Sequence, residues 1–196
     1  MPTESPSADH AARDHAELVR RFQRGDRDAF VSLVRRWERP VLWIAYRVLG
    51  DLAEAEDVRQ AIFLKLLQSP EGPRDAASFP AWIRRTTVNA AVTAVRSRSR
   101  RMAAVAALGT AGRGSDPPQA DQALELDEEA ARLSSALGQL DPDDRALLSL
   151  RFDENLTFEQ IAAVLDRPAS TLKSRSQAAI RQLRRLLNDD SNREPE

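Results

Sequence analysis

Apolar residues recur three and four positions apart along most of the chain. No stretch alternates apolar with polar as a half-buried strand would, so the pattern predicts an all-α protein. A short helix is expected over 17–24, stopped by Gly25-Asp26. A longer one covers 28–49, turning Phe30, Leu33, Val34 and Trp37 inward. Pro40 lacks the N–H that a helix interior uses, which predicts a kink or break there. Gly50 closes the segment as a C-terminal cap. A third helix over 53–68 places Ala55, Val58, Ile62 and Leu66 on one stripe. Residues 69–78, SPEGPRDAAS, are too rich in Pro and Gly to be anything but a loop. Ser78 can cap the next helix, with Pro80 tolerated in its first turn, and that helix should end near Arg100.

The stretch 102–122 contains GTAGRGSDPPQ and reads as a linker. Beyond it, Leu126, Ala130, Leu133, Leu137 and Leu140 are spaced 4, 3, 4, 3 along one helix face. Asp141-Pro142-Asp143-Asp144 is a strong helix start: a cap, a proline at the first position and acids at the positive helix end. Thr157-Phe158-Glu159-Gln160 is a capping box for a helix ending at Leu165. Asp166-Arg167-Pro168 makes a tight turn into a last helix that ends near Leu187. The organisation is therefore two small helical domains: a flexible tail at 1–16, a domain at 17–101, a flexible acidic linker at 102–129, a domain at 130–188 and a tail at 189–196.

Composition narrows the chemistry. The chain has 196 residues and no cysteine, which removes disulfides, thiol nucleophiles and cysteine-built zinc sites. Its two histidines, His10 and His15, both fall in the polar N-terminal stretch. Apolar runs such as 41–46 are far shorter than the ~20 residues of a membrane helix, and the start MPTESPSADH is unlike a secretory signal. A cytoplasmic protein without membrane contact is expected.

The net charge of −1 hides a strong asymmetry. Residues 79–101 carry six arginines and no acid, residues 116–129 six acids and no base, and residues 168–187 only basic charges. Two basic surfaces on one chain suit two footprints on a polyanion, because each neutralised phosphate releases counterions.

In the C-terminal half, a short helix, a three-residue turn and a helix with a basic leading edge have the layout of a helix-turn-helix. If Leu172, Ala179, Leu183 and Leu186 face inward, then Ser170, Thr171, Lys173, Ser174, Arg175 and Gln177 face out, where they suit phosphates and major-groove base edges. In the N-terminal half, Trp82, Thr86, Asn89, Thr93 and Arg96 share a helix face beside Arg84 and Arg85. Rings and guanidinium planes stack on unstacked bases and an amide reads an edge, so this face suits single-stranded DNA; Trp82 fits a core position equally well. On the preceding helix, Glu54, Glu56 and Asp57 lead into Val58, Gln60, Phe63 and Leu64, a mixture of acids and apolar groups that suits docking onto a basic protein surface; a capped surface helix is the alternative.

These residues closely resemble those of extracytoplasmic-function sigma factors, in the sigma-70-like family. The resemblance to region two rests on Gln23-Arg24-Gly25-Asp26 with Ala29-Phe30, on Ala55-Glu56-Asp57-Val58 with Gln60, Phe63 and Leu64, and on Phe79, Ala81, Trp82 and Ile83. Leu140-Asp141-Pro142 with Arg145, Phe158-Glu159-Gln160-Ile161-Ala162 and Thr171-Leu172-Lys173-Ser174-Arg175 look like region four. The resemblance implies a protein that binds RNA polymerase core and directs it to promoter DNA. Region four would read the −35 element as duplex through Ser170, Thr171, Lys173, Ser174, Arg175 and Gln177. Region two would melt the −10 element and capture a flipped base in the loop 69–78, with Arg84, Arg85, Asn89, Arg96 and Arg98 along the DNA. The helix with Asp57, Gln60, Phe63 and Leu64 would dock on the clamp coiled coil of the largest polymerase subunit. The acidic linker would thread towards the active site and the RNA exit channel. Many members are held inactive by an anti-sigma factor, so such a partner is allowed for here. Ser176 stands where the family usually has leucine, and Asp166 where glycine is typical. Aspartate tolerates that left-handed turn better than most residues.

Two rival readings differ in class. A helix-turn-helix regulator that does not bind core polymerase would need neither the 79–101 surface nor the Asp57 helix. An enzyme would need a site, and Glu125, Asp127, Glu128 and Glu129 lack a converging partner, a histidine or a phosphate loop. No catalytic residue, metal, cofactor or small-molecule substrate is expected.

Overall fold

The computed structural model describes residues 8–70, 72–73, 75–107 and 128–191, all of whose regular elements are helical. Eight α-helices are described, in the order α1 (Ala8–Gln23), α2 (Arg27–Leu49), α3 (Leu52–Gln68), α4 (Phe79–Ala107), α5 (Glu128–Gly138), α6 (Pro142–Leu148), α7 (Phe158–Leu165) and α8 (Ala169–Ser191). One turn of π-helix (Ser149–Asp153) follows α6. The tail beyond 191, residues 1–7 and the middle of the linker, including Leu126, lie outside the described residues.

In the N-terminal unit, α2 lies against α1, α3 and α4. The Asp26 carboxylate accepts from the Asp28 and Ala29 N–H groups and starts α2. Gly50, at φ 75°, ends it. The helix continues through Pro40 without the predicted break. Val41, Ile44 and Val48 beyond it are buried, and that packing outweighs the lost hydrogen bond. The core of this unit gathers Val19, Leu33, Trp37, Leu66, Phe79 and Ile83.

Two boundaries and one cap depart from expectation. α1 starts at Ala8, so residues 8–16 are helix rather than tail. His15 is buried with its ring 5.8 Å from Trp37 and 5.4 Å from Phe79, and Val19 and Phe22 follow it inward. α4 continues seven residues past Arg100, through MAAVAA, whose alanines are strong helix formers. Ser78 precedes α4, but its hydroxyl bonds the backbone N–H and C=O of Asp75, while the Asp75 carboxylate accepts from the Ser78 N–H.

Burial, then the positive charges of Arg36 and Arg84, hold the His15 pKa down to about 4. Neither ring nitrogen has a hydrogen-bond partner, as suits a neutral imidazole. The unfolded chain would protonate His15 near 6.5. Stability from this residue is therefore complete above about pH 6.5 and is lost as pH falls towards 4. At pH 5 the loss comes to about 2 kcal/mol. Thermal melts of wild type and His15→Leu at pH 7 and pH 5 should show the larger drop in the wild type; equal drops would disprove the assignment.

The C-terminal unit is built from α5 to α8. Asp141 caps α6 by accepting from the Asp143 N–H, with Pro142 in the first turn. Thr157 and Gln160 form the reciprocal capping box. On α5 the inward positions are Ala136 and Leu137, continued by Leu140, whereas Leu133 is exposed. The two units share one apolar core, in which Val88, Val92 and Val95 of α4 meet Leu147, Leu150, Ile161, Val164 and Leu172.

Candidate nucleic-acid interface

The turn between α7 and α8 works through Asp166, which sits in the left-handed region at φ 56°, ψ 47° and donates its N–H to the Ala162 carbonyl. Short polar side chains tolerate that conformation best. α8 then buries Leu172, Ser176 and Ala179 along one stripe. Ser170, Thr171, Lys173, Ser174 and Gln177 are consequently exposed at the N-terminal half of α8. Ser176, the position where the resemblance led to an expectation of leucine, lies inside this stripe.

Arg175 behaves differently from the other five. Its Nε donates to Asp144 and its Nη2 to Asp141 at 3.1 Å, with Asp143 at 3.9 Å. Burial works against its charge, but the Asp144 hydrogen bond and the surrounding carboxylates prevail and raise its pKa. The acids of the α6 start therefore do more than complement a helix dipole; they hold Arg175 of α8. The sequence signal for this was the DPDD cluster itself.

On α4, Asn89, Thr93 and Arg96 are exposed, while Trp82 is only partly so and packs against the N-terminal core. Arg84 and Arg85 are partly buried and are drawn towards the C-terminal unit. Arg84 donates to Glu154 at 2.7 and 3.0 Å and lies over the Trp37 ring. Arg85 donates to the carbonyls of Ala163 and Val164, both at 2.8 Å. Arg96 pairs with Asp143 at 2.8 Å. Arg98 turns elsewhere, to Glu54 and the Leu49 carbonyl, and so leaves the group.

The loop 69–78 is held in three places. The Gly72 N–H donates to the Ser69 carbonyl, Gln23 donates to the Pro73 carbonyl at 3.2 Å, and Gly72 lies on the Trp82 ring. A Cβ at position 72 would stand 2.8 Å from Trp82 Cζ2, so any side chain there must displace the loop or the ring.

On α3, Asp57, Gln60 and Leu64 are exposed on one face, joined by Leu67, which the sequence reading omitted. Phe63 does not join them: it is buried in the N-terminal core beside Ile62 and Leu66. Among the described residues, no group of three or more His, Asp or Glu is placed to hold a metal ion, and no helix is long and apolar enough to cross a membrane. Glu125 and Asp127 fall outside the described residues.

Comparison with known proteins agrees with this layout. The sigma-70 region 2 profile matches residues 33–101, and the sigma-70 region 4 profile matches residues 136–185. The chain is 33% identical over 166 residues to the RNA polymerase sigma-H factor of Pseudomonas aeruginosa, covering 81% of this chain and 86% of that one. It is 32% identical over 168 residues to the ECF RNA polymerase sigma-E factor of Haemophilus influenzae, covering 81% and 87%. Its fold is similar to that of CnrH in complex with the cytosolic domain of CnrY, with a TM-score of 0.63 at 24% identity, covering 90% of this chain and 98% of that one. It is also similar to the sigma factor RpoE in complex with the anti-sigma factor NepR from Bartonella quintana, with a TM-score of 0.62 at 21% identity, covering 81% and 96%.

Proposed function

The chain belongs to the extracytoplasmic-function RNA polymerase sigma factors, a family of transcription initiation factors, and from that premise we propose how its surfaces divide the task. The C-terminal domain, assigned to 130–188, reads the −35 duplex with the exposed edge of α8: Ser170, Thr171, Lys173, Ser174 and Gln177, joined by Arg175 once phosphate competes with its carboxylates. The N-terminal domain, assigned to 17–101 and extended here by the start of α1, takes the −10 strand. Arg84, Arg85, Asn89 and Arg96 follow its backbone and bases, and the loop on Trp82 receives the flipped base. Arg98 serves α4 through its ties to Glu54 and Leu49. Asp57, Gln60 and Leu64, with Leu67, present α3 to the clamp coiled coil of the polymerase core.

The observation that carries this reading is the pairing of two DNA-suited helix faces, on α4 and α8, with a separate exposed acidic and apolar face on α3. A regulator that bound DNA alone would have no use for the third surface. Its relatives are sigma factors, which carry no reaction of their own. An anti-sigma partner fits the same scheme, as NepR does for RpoE.

The test is transcription in vitro with bacterial core polymerase on a pool of promoter fragments. Specific transcripts that appear only with this chain support the reading. Absence of both transcripts and core binding would leave the DNA-only regulator. Within the N-terminal unit, Gly72→Val should cut affinity for a −10 single strand about tenfold, the worth of one base stack, while helix content stays constant. Unchanged affinity would remove the loop from the site.

A further inference from the structure

Where the second half of α4 passes the turn between α5 and α6, a cavity of about 650 Å³ opens, a size within the range of small-molecule sites. Three arginines line it, Arg96 and Arg100 from α4 and Arg145 from α6, against a single carboxylate, Asp141. That carboxylate is already engaged, accepting from the Asp143 N–H and from Arg175. Arg100 donates to the neutral Ser97 hydroxyl at 3.2 Å, and Arg96 pairs with Asp143.

Arg145 is the unusual member. It is 8% exposed, yet its Nε has no hydrogen-bond partner among the described residues. Its burial, then the positive charge of Arg98, press its pKa down, and Asp141 offsets only part of this. A buried guanidinium without a counter-ion is costly, and an anion that reaches it relieves the cost. Neither Arg145 nor Arg100 belongs to the DNA or polymerase surfaces assigned above. Thr93 and Ser99 add hydroxyl groups to the cavity, and Val95 and Leu140 give it an apolar wall. No aromatic ring lines it among the described residues, so a nucleobase finds nothing to stack on and recognition falls to the anion.

We propose that this cavity binds a small molecule bearing two or more linked phosphate groups, anchored by the buried Arg145 and completed by the more exposed Arg96 and Arg100. The planar fork of each guanidinium matches a pair of phosphate oxygens. One phosphate carries too little charge to balance three guanidiniums, whereas a linked pair suffices. The site is independent of the initiation reading: a chain that directed no transcription would still carry it.

Calorimetric titration of the full chain with inorganic tripolyphosphate tests this, with inorganic sulfate as the control for loose attraction of anions. The titrations run at about 0.15 M salt, where exposed charges are largely screened. One tripolyphosphate per chain is expected, and sulfate should bind about tenfold more weakly or worse. Arg145→Met keeps the apolar stem and should weaken tripolyphosphate about tenfold or more, the worth of a charged hydrogen bond. Without ligand this variant should melt no lower than wild type, because an unpaired buried charge has gone. Tripolyphosphate should raise the melting temperature of the wild type and leave that of Arg145→Met in place. If Arg145→Met fails to fold, Arg100→Gln, at an exposed position, decides the matter through a smaller loss of about threefold. Absence of binding, sulfate binding as tightly as tripolyphosphate, or wild-type affinity in the folded variants would each overturn the proposal. A single-stranded oligonucleotide of scrambled sequence, titrated in parallel, separates the two sources of phosphate. If Arg145→Met weakens the oligonucleotide but not tripolyphosphate, the cavity takes nucleic-acid phosphates and the small-molecule site is refuted.

Discussion

Replacing Thr171, Lys173 and Ser174 together by alanine should weaken binding to a −35 duplex by two to three orders of magnitude and leave the thermal transition in place. All three are exposed, and the Ser174 hydroxyl donates to the Thr171 carbonyl. A base-edge contact is worth about 1–3 kcal/mol and a phosphate contact less, so three of them amount to roughly 3–4 kcal/mol. Lys173→Ala alone should weaken all sequences similarly and reduce the salt slope by about one, the signature of a phosphate contact. Arg175→Ala has a different expected result. It leaves Asp141 and Asp144 without their cation, so stability and DNA affinity should fall together. Lysine at that position keeps the charge but cannot make the forked contact, and it should recover only part of the loss. Duplex titrations and melts of these variants decide the matter. If the triple variant keeps wild-type affinity, α8 is not the reading helix.

Most of the helical frame was legible because it depends on local chemistry. The Asp141 cap, the Gly25-Asp26 and Gly50 stops, the Thr157–Gln160 box and the left-handed Asp166 are all set within a few residues of sequence. What escaped depends on contacts between distant segments. α1 extends back to Ala8 because His15 finds an aromatic pocket made by Trp37 and Phe79, and nothing near His15 announces that pocket. Val164 of α7 is buried in the core that α7 shares with α4, a contact that no local pattern in α7 signals. Phe63 illustrates the reverse. Its place in a motif suggested an outward docking role, but the α3 stripe that begins at Ala55 rotates it into the core. The arginines of α4 were recognisable as a basic face. Their partners Asp143, Glu154 and the end of α7 were not, because complementary charges across a fold leave no spacing to read.

The double variant Asp57→Ala/Leu64→Ala should lose core-polymerase binding by about 100-fold with no change in its melt. Asp57, Gln60, Leu64 and Leu67 are spaced 3, 4, 3 on α3 and therefore form one outward stripe. Leu64 and Leu67 are 55% and 53% exposed, an unusual pair of leucines to leave in water. A central apolar anchor with a charged neighbour is the arrangement in which a few residues carry most of an interface's affinity. Loss of about 2.8 kcal/mol across the two gives the stated factor. Phe63→Ala is the informative contrast. The ring is buried in the N-terminal core, so its removal should cost about 3–5 kcal/mol of stability. Core affinity should then fall only as the folded fraction falls. Fluorescence titration against core polymerase, run at a temperature where every variant is folded, separates the two outcomes. If Phe63→Ala abolishes binding there while Asp57→Ala/Leu64→Ala binds normally, the polymerase takes hold of this chain through some surface other than the exposed stripe of α3.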